Sequence, residues 1–247
     1  MFLLASINPL MFFSKSDLAG QIIFFVLCAL SLVAWTTMIG KYLQLRRMRG
    51  SNARFATDLA SASAVTEIPV DKYPGCPYAE LTLSALGAIE RARTMSVSAD
   101  SQMEHVLSAV ERAFNTAALR YESKLVFLGA VVSGAPFLGL LGTVWGVMIA
   151  FAGIAMDNTG AASIQTLAPG VAAALLCTVT GLLVAIPAVF GYNYLLTKSK
   201  VMMSELENFS SALADRIELE NFASALEPKS TTPQPTAAAA TPGAPAA

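Results

Sequence analysis

Three uncharged stretches stand out against the mixed apolar and polar positions of the chain. The first, residues 18–40, lies between Asp17 and Lys41 and is 23 residues long. At about 1.5 Å per residue it crosses a hydrocarbon core of roughly 30 Å. The other two lie between residues 135 and 193, where Asp157, in a short polar turn, is the only charged side chain. Small residues repeat along both arms of this pair at helical steps. Gly139, Gly142, Gly146, Ala150 and Gly153 share one face, and Gly170, Ala174, Cys177, Gly181, Ala185 and Ala188 share another. In lipid there is little hydrophobic drive between helices, so such stripes serve close backbone packing against protein. The pattern predicts an all-α membrane protein with three transmembrane helices.

Outside the spans, the pattern predicts helices that project from the membrane. Pro69, Pro74, Gly75 and Pro77 divide the region after the first span. Phe55 and Leu59 continue the first helix up to that division. Beyond it, Met103, Leu107, Val110, Phe114, Ala117 and Tyr121 step by four and three, a heptad seam that runs without proline into the second span. A single helix from Ser98 to Ala135 would measure roughly 57 Å. After the third span, Met202, Leu206, Phe209, Leu213 and Ile217 keep the same spacing, so the second and third spans are both expected to extend into a helical stalk. Residues 228–247, rich in Pro, Ala and Thr, are expected to be disordered because they have too little to bury. The resulting division is 1–17, an interfacial N-terminal segment preferred over a signal peptide because no charged n-region precedes it; 18–40, the first span; 41–124, a helical extramembrane region; 125–155, the second span; 156–166, a loop; 167–197, the third span; 198–227, a stalk helix; and 228–247, the tail.

Charge then orients these elements. Lys41, Arg46, Arg47, Arg49 and Arg54 follow the first span, Arg120 and Lys124 precede the second, and Lys198 and Lys200 follow the third. By the positive-inside rule, 41–124 and 198–227 face the cytoplasm and the N-terminus lies outside. A composition of 55% hydrophobic and 13% charged residues, with net charge −1, excludes an ordinary soluble domain and gives no basis for nucleic-acid binding. Cys28, Cys76 and Cys177 have no paired spacing, and His105 has no second ligand near it in sequence, so no metal site and no cofactor are expected. No catalytic group stands within the spans, which argues against an enzyme.

The polar side chains inside the second and third spans are hydroxyls: Ser133, Thr143, Thr178 and Thr180. A helical Ser or Thr commonly bonds a carbonyl of its own helix one turn back, and that reading suits all four. Thr143 and Thr178 nevertheless lie on or beside the small-residue faces and are best placed to meet a partner helix or water. Pro136 and Pro187 fall within spans, where each frees the carbonyl four residues earlier, so each marks a packing kink or a hinge.

GLLGTVWGVM at 139–148 followed by LAPGVAAALLCTVTGLLVAIPAVFGYN at 167–193 resembles the paired signature of the TolQ/ExbB/MotA proton-channel family, nearest its TolQ and ExbB branches. The resemblance implies a homopentameric ring in the bacterial inner membrane. It implies a single-span partner of the TolR/ExbD type, whose transmembrane Asp takes up the proton, and a TolA- or TonB-like force transmitter. It places Thr143 and Thr178 on the ion pathway, beside the helix contacts that spacing assigns to Gly139, Gly142, Gly146, Gly170, Ala174 and Gly181. Ala173 stands where members commonly carry Glu. The implied function is that of a channel subunit in a motor driven by the proton-motive force, which energises envelope processes or outer-membrane transport. The reading from another class is a passive scaffold that holds single-span partners without conducting.

Overall fold

The computed structural model describes residues 17–95, 99–156 and 164–226. The expectations for the N-terminal segment, for most of the 156–166 loop and for the 228–247 tail lie outside them. Five α-helices make up the described chain: α1 (Leu18–Ser61), α2 (Pro77–Thr94), α3 (Ala99–Glu122), α4 (Leu125–Met156) and α5 (Ile164–Leu226). Two short 3₁₀ turns, Val65–Glu67 and Val70–Lys72, join α1 to α2. Three helical stretches are long and apolar enough to cross a membrane, in α1, α4 and α5.

The membrane part is built on α4 and α5, with α1 laid against both. The buried positions of α1 fall seven apart at Gly20, Leu27, Ala34 and Lys41, then four and three apart through Leu45, Met48, Asn52, Phe55 and Leu59. One narrow stripe therefore runs the 44-residue length of the helix, flanked by half-buried residues such as Ile23 and Leu30, while the opposite side of its span is exposed, as at Phe25 and Leu32. Asp17 caps the helix by accepting from the backbone N–H groups of Ala19 and Gly20.

Away from the membrane, the continuations of α1 and α5 form a bundle with α2 and α3. Tyr78 stacks on Phe209 with ring centroids 4.0 Å apart, and Phe55 meets Tyr73 and Phe209 edge to face. Met202, Leu206, Leu213 and Ile217 are buried, as their spacing predicts. The α3 seam differs from the predicted one. Val106 and Ala109 are buried, while Leu107 is 48% exposed. α3 touches both α2 and α5, so it needs a broader apolar face than a two-helix heptad provides.

The single helix expected from Ser98 to Ala135 is broken. α3 ends at Glu122, α4 begins at Leu125, and Lys124 between them has φ +68°. That is the left-handed region, which costs a non-glycine residue about 1 kcal/mol or more. The break coincides with the border drawn between 41–124 and 125–155. Its cost is offset locally: the Arg120 carbonyl, at the broken turn, accepts from Lys41 Nζ at 2.7 Å and from Ser123 Oγ at 2.8 Å.

Candidate functional site

The small-residue faces meet each other along the α4–α5 contact. A Cβ added at Gly139 would lie 3.0 Å from the Cys177 carbonyl oxygen and the Thr178 Cα. At Gly142 it would lie 2.5 Å from the Cys177 Cβ, at Gly146 2.7 Å from the Ala174 Cβ, and at Gly181 2.7 Å from the Ala135 carbonyl oxygen. Gly170 approaches Ala150 in the same way, at 3.2 Å. No side chain larger than the present ones fits at Gly142, Gly146 or Gly181 without moving a helix. Gly153, counted on the same stripe, has nothing within 4 Å and lies off the contact.

This close approach sets the positions of the hydroxyls. The Thr178 Oγ1 lies 3.1 Å from the Gly139 carbonyl oxygen and 3.4 Å from the Thr143 Oγ1. Thr143 in turn donates to the Leu140 carbonyl at 2.7 Å, which leaves its oxygen free to accept. The two threonines thus form a short interhelical chain at the seam. Among the described residues, Ser133 and Thr180 bond only carbonyls of their own helices, Ser133 to Gly129 and Ala130 and Thr180 to Leu176. Pro136 and Pro187 sit within α4 and α5, and Pro187 adjoins Ala34, Trp35 and Met38 of α1.

Beside the seam, near the start of α1, a cavity of about 170 Å3 separates α1 from the α4–α5 pair. Gly142, Gly146, Ala173, Ala174 and Cys177 form its walls, and Asp17 supplies a carboxylate at its edge. Asp17 also accepts from Trp145 Nε1 at 3.0 Å, tying the first turn of α1 to α4. Ala173 is buried and faces the space that a longer side chain at this position would enter.

At the other end of the spans lies a polar core that sequence reasoning missed. Lys41, counted there only as part of the basic cluster, is fully buried and donates to the Arg120 carbonyl and to Ser123 Oγ. Burial and the nearby Lys124 lower its pKa from 10.5 to about 8. Below it, Ser199 donates to the Tyr121 carbonyl at 2.9 Å, Asn52 to the Tyr121 hydroxyl at 3.2 Å, and the Cys76 thiol to Asn52 Oδ1. Burial pushes the Tyr121 phenol up to about 12. The available signal was periodicity, since Lys41 continues the seven-residue stripe of Gly20, Leu27 and Ala34.

A sequence profile described as the MotA/TolQ/ExbB proton channel family matches residues 82–208, which span α2 to α5 and include the whole α4–α5 seam. The chain belongs to this family. Among curated relatives, the Tol-Pal system protein TolQ of Haemophilus influenzae is 30% identical over 212 residues, covering 83% of this chain and 91% of that protein. The corresponding TolQ of Pseudomonas aeruginosa is 28% identical over 202 residues, covering 80% and 87%. The biopolymer transport protein ExbB of Pseudomonas putida is 33% identical over 198 residues, covering 76% of this chain and 56% of that protein. Membership and the three apolar helices together make this a multi-pass membrane protein.

Proposed function

We propose that the chain is the ring-forming channel subunit of a motor in the bacterial inner membrane, driven by the proton-motive force and non-enzymatic in itself. In this reading five copies enclose a TolR/ExbD-like pair of single-span helices, and movement passes to a TolA- or TonB-like transmitter. The N-terminus is periplasmic, and the α2–α3 region and the far half of α5 are cytoplasmic.

One observation carries the reading: within a membrane protein of this family, Thr143 and Thr178 make an interhelical hydroxyl pair at a seam of small residues. Hydroxyls orient water and stabilise a passing charge, but they do not titrate near neutral pH. No Lys, Arg, His, Asp or Glu stands within residues 125–155 or 167–197. In this reading the group that binds and releases the proton belongs to the partner, Asp17 being held at the start of α1 by its helix cap and by Trp145, and a transmembrane Asp facing the two threonines is the side chain suited to it. Desolvation raises such a carboxyl towards the working pH, and the threonines favour its ionised form on the hydrated side.

Proteoliposomes with an imposed pH gradient test this. The ring alone should hold the gradient, the ring with its partner should dissipate it, and Thr178→Val should abolish that flux while leaving assembly intact. No flux from the wild-type ring with its partner would leave the passive scaffold as the better reading, and flux that persists unchanged in Thr178→Val would take that hydroxyl off the pathway.

A further inference from the structure

A groove runs between α2 and α3 on the outer side of the extramembrane bundle. It encloses about 480 Å3 between small side chains, among them Ser84, Gly87, Ala109 and Ala113. Arg91 and Arg112 line it, and both continue into an adjoining cavity of about 190 Å3 beside His105. Neither guanidinium has an ion pair or side-chain hydrogen bond within the subunit among the described residues. By contrast, Arg120, at the head of the groove, is fully engaged by Glu80 through two bonds of 2.7 and 2.6 Å.

The complementary surface lies elsewhere on the same chain. Along α5, Glu207, Ser211, Asp215 and Glu218 are exposed at steps of four, four and three, so they share one helical face, which also exposes Asn208 and Leu219 and whose charges between 207 and 218 are acidic. Glu207, Asp215 and Glu218 are unpaired within the subunit among the described residues. An acidic face and a groove carrying two arginines unpaired among the described residues match in charge.

Their depth along the bundle also matches. Ser199 and Tyr121 are joined by a hydrogen bond, which fixes the register of α5 against α3. α3 leads back from Tyr121 to Arg112, and α5 leads away from Ser199 to Glu207, so both lie about 13 Å from that bond at about 1.5 Å per residue. By the same count His105 and Asp215 both lie about 24 Å from it. A ring has its rotation axis along the membrane normal, and rotation about that axis leaves depth unchanged.

We infer that the α2–α3 groove of one subunit receives the Glu207–Glu218 face of α5 from the next copy, with Arg112 paired to Glu207 and Arg91 turned towards Asp215. The contact joins two different patches and is therefore heterologous, the type of interface that closes into a ring. It rests on the ring reading proposed above and specifies how neighbouring copies are held away from the membrane.

Native mass spectrometry of charge exchanges tests it. Arg112→Glu or Glu207→Arg alone should weaken ring assembly by about a hundredfold or more, since like charges then face each other across the contact. The double exchange should restore it. Arg54→Glu, an arginine on exposed α1 surface away from the groove, should assemble normally. A photoreactive side chain at Thr116 in otherwise unaltered protein should crosslink to residues 204–215 of another copy, and this arm does not depend on the folding of any charge variant. A wild-type ring in Arg112→Glu, failure of the double exchange to recover, or a crosslink mapping to another segment would each overturn the pairing. A wild-type protein that is itself monomeric would instead remove the ring reading on which the pairing rests.

Discussion

Lys41 Nζ donates to the carbonyl oxygen of Arg120 at 2.7 Å, a bond between the buried stripe of α1 and the broken turn between α3 and α4. An ammonium held out of water is disfavoured in its charged form, and the neighbouring Lys124 adds to the effect. The helix break and the buried lysine therefore support one another: the break presents a carbonyl, and the lysine covers it.

The first prediction follows from the titration of Lys41. Its pKa is about 8 in the folded chain and close to 10.5 when unfolded. Between these values the unfolded chain binds the extra proton, so stability should rise with pH across that window. Tyr121 acts in the opposite sense. Its phenol is raised from 10.0 to about 12, so the folded chain keeps that proton longer and stability should fall as pH increases above 10. Tyr78, raised in the same direction by burial, adds to the fall. Unfolding midpoints in lipid nanodiscs should therefore climb from pH 8 towards 10 and then decline. Lys41→Met should lose the climb, and Tyr121→Phe should soften the decline. A Lys41→Met profile parallel to wild type would show that the lysine is not the group responsible.

The second concerns the seam. Gly181→Leu drives a side chain into the Ala135 carbonyl and the Gly139 backbone, and should cost about 3 kcal/mol through forced separation of α4 and α5. Gly153→Leu meets open space and should cost almost nothing. Thermal melts of the two variants would compare them directly, and equal losses would mean that the seam does not set stability.

The third concerns the far end of α1. Arg216 donates to the Leu59 and Ala62 carbonyls at 2.6 Å each and to Glu220, which itself accepts from the Val65 N–H. Arg216→Ala leaves two C-terminal carbonyls of α1 and one carboxylate without their cation. The loss of about 2 kcal/mol locally should speed hydrogen exchange around Val65 roughly 30-fold while the α4–α5 seam stays protected. Unchanged exchange at Val65 would count against Arg216 as the clasp.

The fourth concerns direction in the membrane. In a cysteine-free background, Asn158→Cys should react with an impermeant thiol reagent added to intact spheroplasts, and Ser210→Cys should not. The opposite labelling would reverse the orientation drawn from the basic residues at the span borders.

Much of the architecture could be read from residue types alone, because the constraints behind it are local. A stretch such as 18–40 without charge has few stable homes other than lipid, since its backbone must bond internally and its side chains have nothing to offer water. Gly139, Gly142 and Gly146 recur on one face of α4, and Gly170 and Gly181 fall on one face of α5, because only small residues permit backbone approach, and spacing alone reports that. Spacing also placed Thr143 and Thr178 beside the same faces, although it left the self-bonded reading open to them as it did to Thr180.

What the sequence could not decide was which surface each face would meet. The small-residue stripes pack α4 on α5 within one chain, and Thr178 reaches Thr143 because that packing brings two helices together. Lys41 reads as one more basic residue at a span border until α1 is laid against the α3–α4 turn and its head is enclosed. The segment around Ser123 and Lys124 carries neither Gly nor Pro, so no local rule ends a helix there. The break exists because contacts distant in sequence, from Lys41 and Ser199, meet the last turn of α3. Val106 replaces Leu107 in the α3 seam for a related reason: one face had to serve two neighbours, and only the assembled bundle fixes the direction of the second. Sequence thus determined the elements and their apolar faces, which follow from covalent geometry and the solvent. Tertiary structure decided the pairings, which depend on groups brought together from far apart along the chain.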